Sequence, residues 1–308
     1  MGLIEQAAQR LEELRRAGAE VPAHLAPAPT PAAAAAASAS AAETPPVRAS
    51  HRHAHGAPSI VAVPRAPTGP EVKIDLQRLH AQGYITPDAP RSRIAEEFRI
   101  LKRPLIANAR NRLAGASVPS NLVMVTSAMP GEGKTFTAVN LAMSLAMELD
   151  QTVLLIDGDV ARPSVPTVLG VKHPRGLLDV LGSAACPLDE VVLRTNVPKL
   201  SLLLAGSPHA GAVEMLASQA MSRLLDEIAH SSQDRIVIVD SPPLLATTEA
   251  RALASHMGQL IMVVRAESAL QSQVKAAVAT VESCPIKTLV LNGATSPGQG
   301  VYGYGYGY

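Results

Sequence analysis

Residues 121–135 read NLVMVTSAMPGEGKT, and they join an unbroken apolar run to a loop carrying two glycines, a lysine and a threonine. A strand that is apolar at every position, rather than at alternate ones, is covered on both faces. The loop that follows has the chemistry a phosphate needs. Small residues let backbone N–H groups turn inward around the anion, a lysine reaches the outer phosphates, and a hydroxyl serves magnesium. Gly131, Gly133, Lys134 and Thr135 supply these parts. Pro130 and Glu132 complete the loop, and Phe136 stands at the start of the helix predicted for GKTFTAVNLAMSLAMEL. That helix aims the positive end of its dipole at the same anion. The common pattern G-x-x-x-x-G-K-[ST] wants glycine at position 128, where this chain has Ala128. Alanine is accommodated there if its backbone angles are ordinary.

Outward from this run, the same grammar repeats. QTVLLID, KLSLLLAG, RIVIVD, QLIMVV and IKTLVLN are further apolar strands, with helical segments between most of them. The fold class expected is α/β: a P-loop NTPase of the deviant-Walker, SIMIBI-like kind, with a mostly parallel sheet and helices on both faces. Ligands of such sheets bind beyond the carboxyl ends of the strands. Two acidic motifs fall there. VLLIDGDVARP places Asp157 and Asp159 just past a strand end, and RIVIVDSPP ends a strand in Asp240. Acids beside a triphosphate repel it unless a divalent cation intervenes, so Thr135, Asp157 and Asp240 are the candidate Mg²⁺ set. Asp240 is placed as the indirect magnesium ligand of a phosphate-loop enzyme. Asp159 also reads as a plain loop or cap acid.

The rest of the chain is appended to this core, which is expected over 121–292. Residues 1–18, MGLIEQAAQRLEELRRAG, form an amphipathic pattern with balanced charge, suited to docking on a protein. Residues 19–70 are rich in alanine, proline and serine and read as a linker; His51, His53 and His55 inside it read as a solvated tract. Residues 71–120 are read as the helical leading part of the domain, with Pro104 expected to kink or break a helix of some twenty residues. Cys186 and Cys284 lack metal or redox spacing and read as buried thiols. With 27 Lys plus Arg against 26 Asp plus Glu, the chain has no global pull toward nucleic acid or anionic membrane. No apolar run approaches the ~20 residues that cross a bilayer, so a cytoplasmic protein is expected, held at the membrane only through a partner.

SAMPGEGKT, LLIDGDVARP and IVIVDSPP, in this order and followed by a tyrosine-rich end, resemble the bacterial tyrosine kinases (BY-kinases) of exopolysaccharide assembly. The leading helix and EEFRILKRPLIANA resemble the exosortase-associated (XrtA) autokinase branch of that family. The resemblance implies that Lys134 and the loop amides hold ATP, that Thr135 and Asp240 hold Mg²⁺, that Asp157 takes the proton from a tyrosine hydroxyl, and that Asp159 assists at the metal. It places Asn292 near the nucleotide base and gives Arg162 the role of stabilising phosphate charge. Arg162 is displaced by one position from the family pattern, because Ala161 stands where a base is usual. It also implies a self-assembly motif E-x-x-R-x-x-R, met by Glu96 and Arg99 and ending in Lys102. Spacing of three is expected to put these three on one helix face, against a neighbour in a ring-like homo-oligomer. Partners implied are a separate membrane-spanning co-polymerase activator and a cognate phosphotyrosine phosphatase.

The end of the chain, VYGYGYGY, holds four of the five tyrosines: Tyr302, Tyr304, Tyr306 and Tyr308. About sixteen residues follow Asn292, which span roughly 50 Å stretched or 20–24 Å as a coil. Glycine between the tyrosines leaves each phenol free, so residues 293–308 are expected to be the autophosphorylated substrate. Neither Lys nor Arg follows Asn292, which argues against a nucleic-acid stacking role. Two other readings stay open: a switch like the partition and division-site ATPases, and a non-catalytic ATP-binding adaptor of an export complex. The former usually carries an extra lysine early in the loop, and none stands between Asn121 and Gly133.

Overall fold

The computed structural model describes residues 69–89, 91–110, 118–183 and 185–294. The predicted docking helix, the histidine tract and Tyr302 to Tyr308 lie outside the described residues. In chain order the elements are β1 (Glu71–Val72), α1 (Leu76–Ala81), α2 (Arg93–Arg110), β2 (Leu122–Ser127), α3 (Lys134–Ala146) and β3 (Thr152–Asp157). Then come α4 (Val165–Leu169), α5 (Leu177–Gly182), α6 (Leu188–Val191), β4 (Leu193–Thr195), β5 (Leu200–Leu203), α7 (Ala212–Leu216) and α8 (Gln219–His230). β6 (Arg235–Asp240), α9 (Glu249–Ala254), β7 (Gln259–Arg265), α10 (Gln271–Ala279) and β8 (Ile286–Asn292) complete them.

One eight-stranded sheet runs in the order β1-β4-β5-β3-β6-β2-β7-β8. Every pairing is parallel except β4 with β5. The unbroken apolar strands are explained by two cores, one on each face. Leu122 and Met124 of β2 pack into one; Val123 and Val125 pack into the other. Leu154 and Ile156 of β3 divide from Val153 and Leu155 in the same way, as do Val237 and Val239 of β6 from Ile236 and Ile238. Each such side chain contributes about 1.5–3 kcal/mol by leaving water. Truncating one, as in Ile238→Ala, costs about 2–5 kcal/mol because the cavity does not collapse.

The six long strands stand where the sequence puts them. β1 and β4 were not anticipated: two and three residues carry no readable period. The expected break at Pro104 is corrected, since α2 runs through it as one helix. Pro104 is exposed, and Ile100, whose carbonyl loses its intrahelical donor, is 70% exposed. Water can satisfy that carbonyl at the helix surface. Both cysteines are free and buried, as expected.

Among the described residues no helix is long and apolar enough to cross a membrane.

Candidate active site

The loop between β2 and α3 is held open by its own backbone. Gly131 and Gly133 have φ of 82° and 97°, in the left-handed region where a side chain is strained. Ala128 is absent from the positive-φ residues, so the alanine in place of glycine costs nothing there. The Glu132 side chain is buried. One of its oxygens accepts the Met129 N–H at 2.7 Å and the other the Arg265 N–H at 3.4 Å. Its carboxylate therefore braces the loop from within. The Asn292 amide donates to the Glu132 carbonyl at 2.9 Å. That contact seats Asn292 on the loop and against Gly133, where a β-carbon would collide with it. Phe136 stacks at 5.0 Å between ring centroids on Tyr84, the tyrosine that lies outside the terminal cluster.

Parallel register brings the acids together. Asp157 and Asp240 end adjacent strands and are register partners. Both are fully buried. Thr135 Oγ1 donates to Asp240 Oδ2 at 2.6 Å, and the Val165 N–H donates to Asp157 Oδ2 at 3.1 Å. The second oxygen of each carboxylate, Oδ1, is buried with no hydrogen-bond partner. Burial, with Asp240 beside it, pushes the Asp157 carboxyl up to about 8. Burial likewise raises Asp240 to about 7, against the Thr135 hydrogen bond and the Lys134 ammonium, which pull it down. The glycine between the two acids of the DGD run is required by closeness. The Gly158 N–H donates to the Asp240 carbonyl at 2.7 Å, and a β-carbon at 158 would press on Val239 and Asp240.

Asp159 is half-buried, and its Oδ1 accepts the Arg162 N–H at 3.1 Å. This is the turn-capping contact of the plainer reading. Burial raises its carboxyl as well, while Lys134 and Arg162 oppose the rise. Arg162 itself is exposed.

Two orphaned carboxylate oxygens and a threonine hydroxyl fit a hydrated Mg²⁺, which takes one or two carboxylates and keeps its waters. No cluster of three or more metal-ligating His, Cys, Asp or Glu side chains occurs among the described residues. The donor set fits a cation shared with phosphates and not one caged by protein alone.

The structure separates one group the sequence joined. Glu96 and Arg99 are exposed and paired at 2.6 Å, but Lys102 is buried. Its ammonium donates to the Ser144 carbonyl at 2.6 Å and pairs with Glu148 at 2.8 Å, holding α2 to the end of α3. Two steps of three residues turn a helix by about 120°, enough to carry position 102 from the outer face to the inner one. Lys102 is thus corrected from a surface contact to an internal latch.

Sequence reading missed Ser164, whose hydroxyl lies 2.7 Å from Thr135 Oγ1. It also missed Asn140, which accepts the Ile85 N–H at 2.7 Å and donates to the Phe136 carbonyl at 2.8 Å. No one-dimensional signal marks either; both are polar residues made informative by their contacts alone.

Residues 119–292 match the ParA family, described as NUBPL iron-transfer P-loop NTPase. The chain is 32% identical over 219 residues to tyrosine-protein kinase YwqD of Bacillus subtilis (strain 168), covering 70% of this chain and 87% of that one. It belongs to the bacterial tyrosine-protein kinase family. A putative tyrosine-protein kinase, EpsB of Ralstonia nicotianae, is 31% identical over 191 residues, which are 61% of this chain but 25% of that relative. The solved kinase domain of the Escherichia coli tyrosine kinase Etk aligns at TM-score 0.54 and 26% identity, over 69% of this chain and 80% of the domain. Membership agrees with the α/β P-loop fold read from the sequence.

Proposed function

We propose that this protein is an ATP-dependent tyrosine autokinase whose substrate is its own terminal cluster, Tyr302, Tyr304, Tyr306 and Tyr308, and which regulates polysaccharide polymerisation and export. The observation that supports this most directly is the pair of buried, half-unsatisfied carboxylates facing Thr135 and Lys134. Isolated, they are a liability; with a cation and a nucleotide they are a phosphoryl-transfer site.

In this reading Lys134 and the loop amides from Pro130 to Thr135 hold the phosphates. The cation, held by Thr135, Asp240 and Asp157, supplies charge neutralisation at the transferring phosphate. A tyrosine oxygen bonds to the γ-phosphorus as the bond to the ADP oxygen breaks, and the phenol proton passes to Asp157. Burial and Asp240 raise this carboxyl in the metal-free site, and a cation beside it would favour the ionised form that accepts a proton. Asp159 and the exposed Arg162 flank the entering chain, and Asn292 keeps the loop open toward the base.

Partners follow from the same reading. A membrane-spanning co-polymerase activator recruits the protein to the inner membrane through residues 1–18. Glu96 and Arg99 face a neighbouring copy in a ring, and a phosphatase reverses the modification. The assignment to the exosortase-associated branch rests on EEFRILKRPLIANA and the leading helix.

Incubation with Mg·ATP and activator, then mass spectrometry of the C-terminal peptide beside Lys134→Met and a Phe-substituted tail, tests the reading. Phosphate on the terminal peptide of the wild type alone is expected. Free phosphate without phosphotyrosine would overturn it in favour of an ATPase switch.

A further inference from the structure

The segment 163–166 has two sides. Ser164 touches the Thr135 hydroxyl and the Val165 N–H binds Asp157, whereas Pro163 and Pro166 line a cleft of about 460 Å³. The cleft therefore starts one residue from the phosphoryl-transfer groups. Pro174 and Leu204 add to an apolar wall, and Lys172 and His173 also line it. Lys172 is exposed. His173 Nδ1 lies 2.8 Å from the Arg175 carbonyl, which can only accept, so Nδ1 carries a proton and the ring is held at the cleft wall. An apolar wall beside the Lys172 ammonium suits an aromatic ring that ends in an anion.

The chain contains such a ligand once it has reacted. Its tyrosines recur at every second residue, so in an extended segment they share one face and lie about 7 Å apart. Pro163 and Val165, cleft wall and Asp157 donor, are also two residues apart. Reach is adequate: β8 is five strand spacings from β5, about 24 Å, against roughly 50 Å for the sixteen residues beyond Asn292.

We propose that the Pro163–Pro166–Leu204 cleft is a phosphotyrosine subsite, which holds one phosphorylated residue of the Tyr-Gly repeat while the next tyrosine is presented at Asp157. This rests on the autokinase reading and adds order to it. The unmodified tail offers no anion to Lys172; the first phosphate creates the ligand that positions the second acceptor. Phosphorylation then runs along the repeat in steps of two, and a chain modified once is modified again faster.

The test uses the full chain with its four terminal tyrosines changed to Phe, loaded with Mg·ADP, and titrated calorimetrically with the peptide Gly-pTyr-Gly-Tyr-Gly. Saturable binding is expected, at least about tenfold tighter than for the unphosphorylated peptide. Lys172→Glu should lose about tenfold in affinity and Lys172→Arg should restore it; one such charge contact is worth that factor. Equal affinity of wild type and Lys172→Glu, or no binding, would overturn the subsite. In the unaltered tail, intact-mass spectra of Lys172→Glu should accumulate singly phosphorylated chains where wild type passes to higher states; identical distributions would count equally against it. Peptide binding through Lys172 in a protein that never forms phosphotyrosine would uphold the subsite and sink the autokinase reading. Phosphotyrosine without such binding would do the reverse.

Discussion

Lys102 and the pair Asp157–Asp240 are all buried charged residues, and they have opposite surroundings. Lys102 has a carbonyl and a carboxylate within 2.8 Å. Asp157 and Asp240 each leave one buried oxygen with nothing. Desolvating a charge costs several kcal/mol unless partners replace water. A satisfied buried charge is a structural joint; a carboxylate with one unpaired oxygen is a ready ligand for a cation. The molecule holds both kinds on the two ends of α3, the latch at its C-terminal end and the acids at its N-terminal end.

The largest effect comes from changing one of these acids. Asp157→Asn should lower autophosphorylation by about 10²–10⁴-fold, the usual weight of a general base. At a pH above both carboxyl values the nucleotide-free variant should also become more stable, because a buried pair of like charges is reduced to one. A rise in the urea midpoint beside lost activity separates this from unfolding. Lost activity with a lowered midpoint would break the comparison, placing Asp157 with the joints. Removing the joint comes next. Lys102→Met strips a partner from Ser144 O and Glu148, and should cost about 1–3 kcal/mol in denaturant unfolding. It should leave ATP affinity intact, since Lys102 touches nothing in the loop. Lys102→Arg, which restores the family residue, should not strengthen self-association.

Protons sharpen the contrast further. The Asp157 and Asp240 carboxyls stand near 8 and 7 in the folded chain, above the unfolded aspartate value of ~3.9. The folded state therefore binds protons more tightly than the unfolded one between these limits, so stability falls as pH rises through the window. In EDTA the midpoint should drop from pH 5 to pH 8 by more than in Asp240→Asn, with Mg·ADP flattening the slope. Glu148 behaves oppositely: hydrogen bonding to Lys102 holds its carboxyl below the usual range, so its contribution is present above pH ~4 and lost in acid. A flat wild-type profile in EDTA would mean that the acids are not desolvated.

Much of this was legible in one dimension, for definite reasons. Buried parallel strands are apolar at every position, so β2, β3, β6 and β7 declared themselves, and with them the loop and acids at their ends. Asp157 and Asp240 were readable because strand ends in such a sheet converge. What failed was anything decided by rotation or by partners. The triplet spacing of Glu96, Arg99 and Lys102 looks like one face, yet 120° of turn carries the lysine inward. Pro104 looked like a break, but the carbonyl it leaves without a donor belongs to a residue open to water. Ser164 and Asn140 gave no signal because serine and asparagine are common in loops and helices, and only the tertiary contact makes them part of the site.

The smallest expected effect lies at the exposed end of the comparison. Glu96 and Arg99 form an ion pair with side chains about half exposed. Such pairs contribute ~0–1 kcal/mol, because water screens them and two long side chains must be held still. Glu96→Gln should therefore change unfolding by no more than ~0.5 kcal/mol, far below Lys102→Met. If this face meets a second copy, the same variant should shift the concentration dependence of sedimentation, because a pair covered by a neighbour is no longer screened. Arg99→Glu should shift it further by setting like charges together. Equal sedimentation in all three proteins would leave the pair as a solvated helix face, and would confine any assembly to surfaces other than α2.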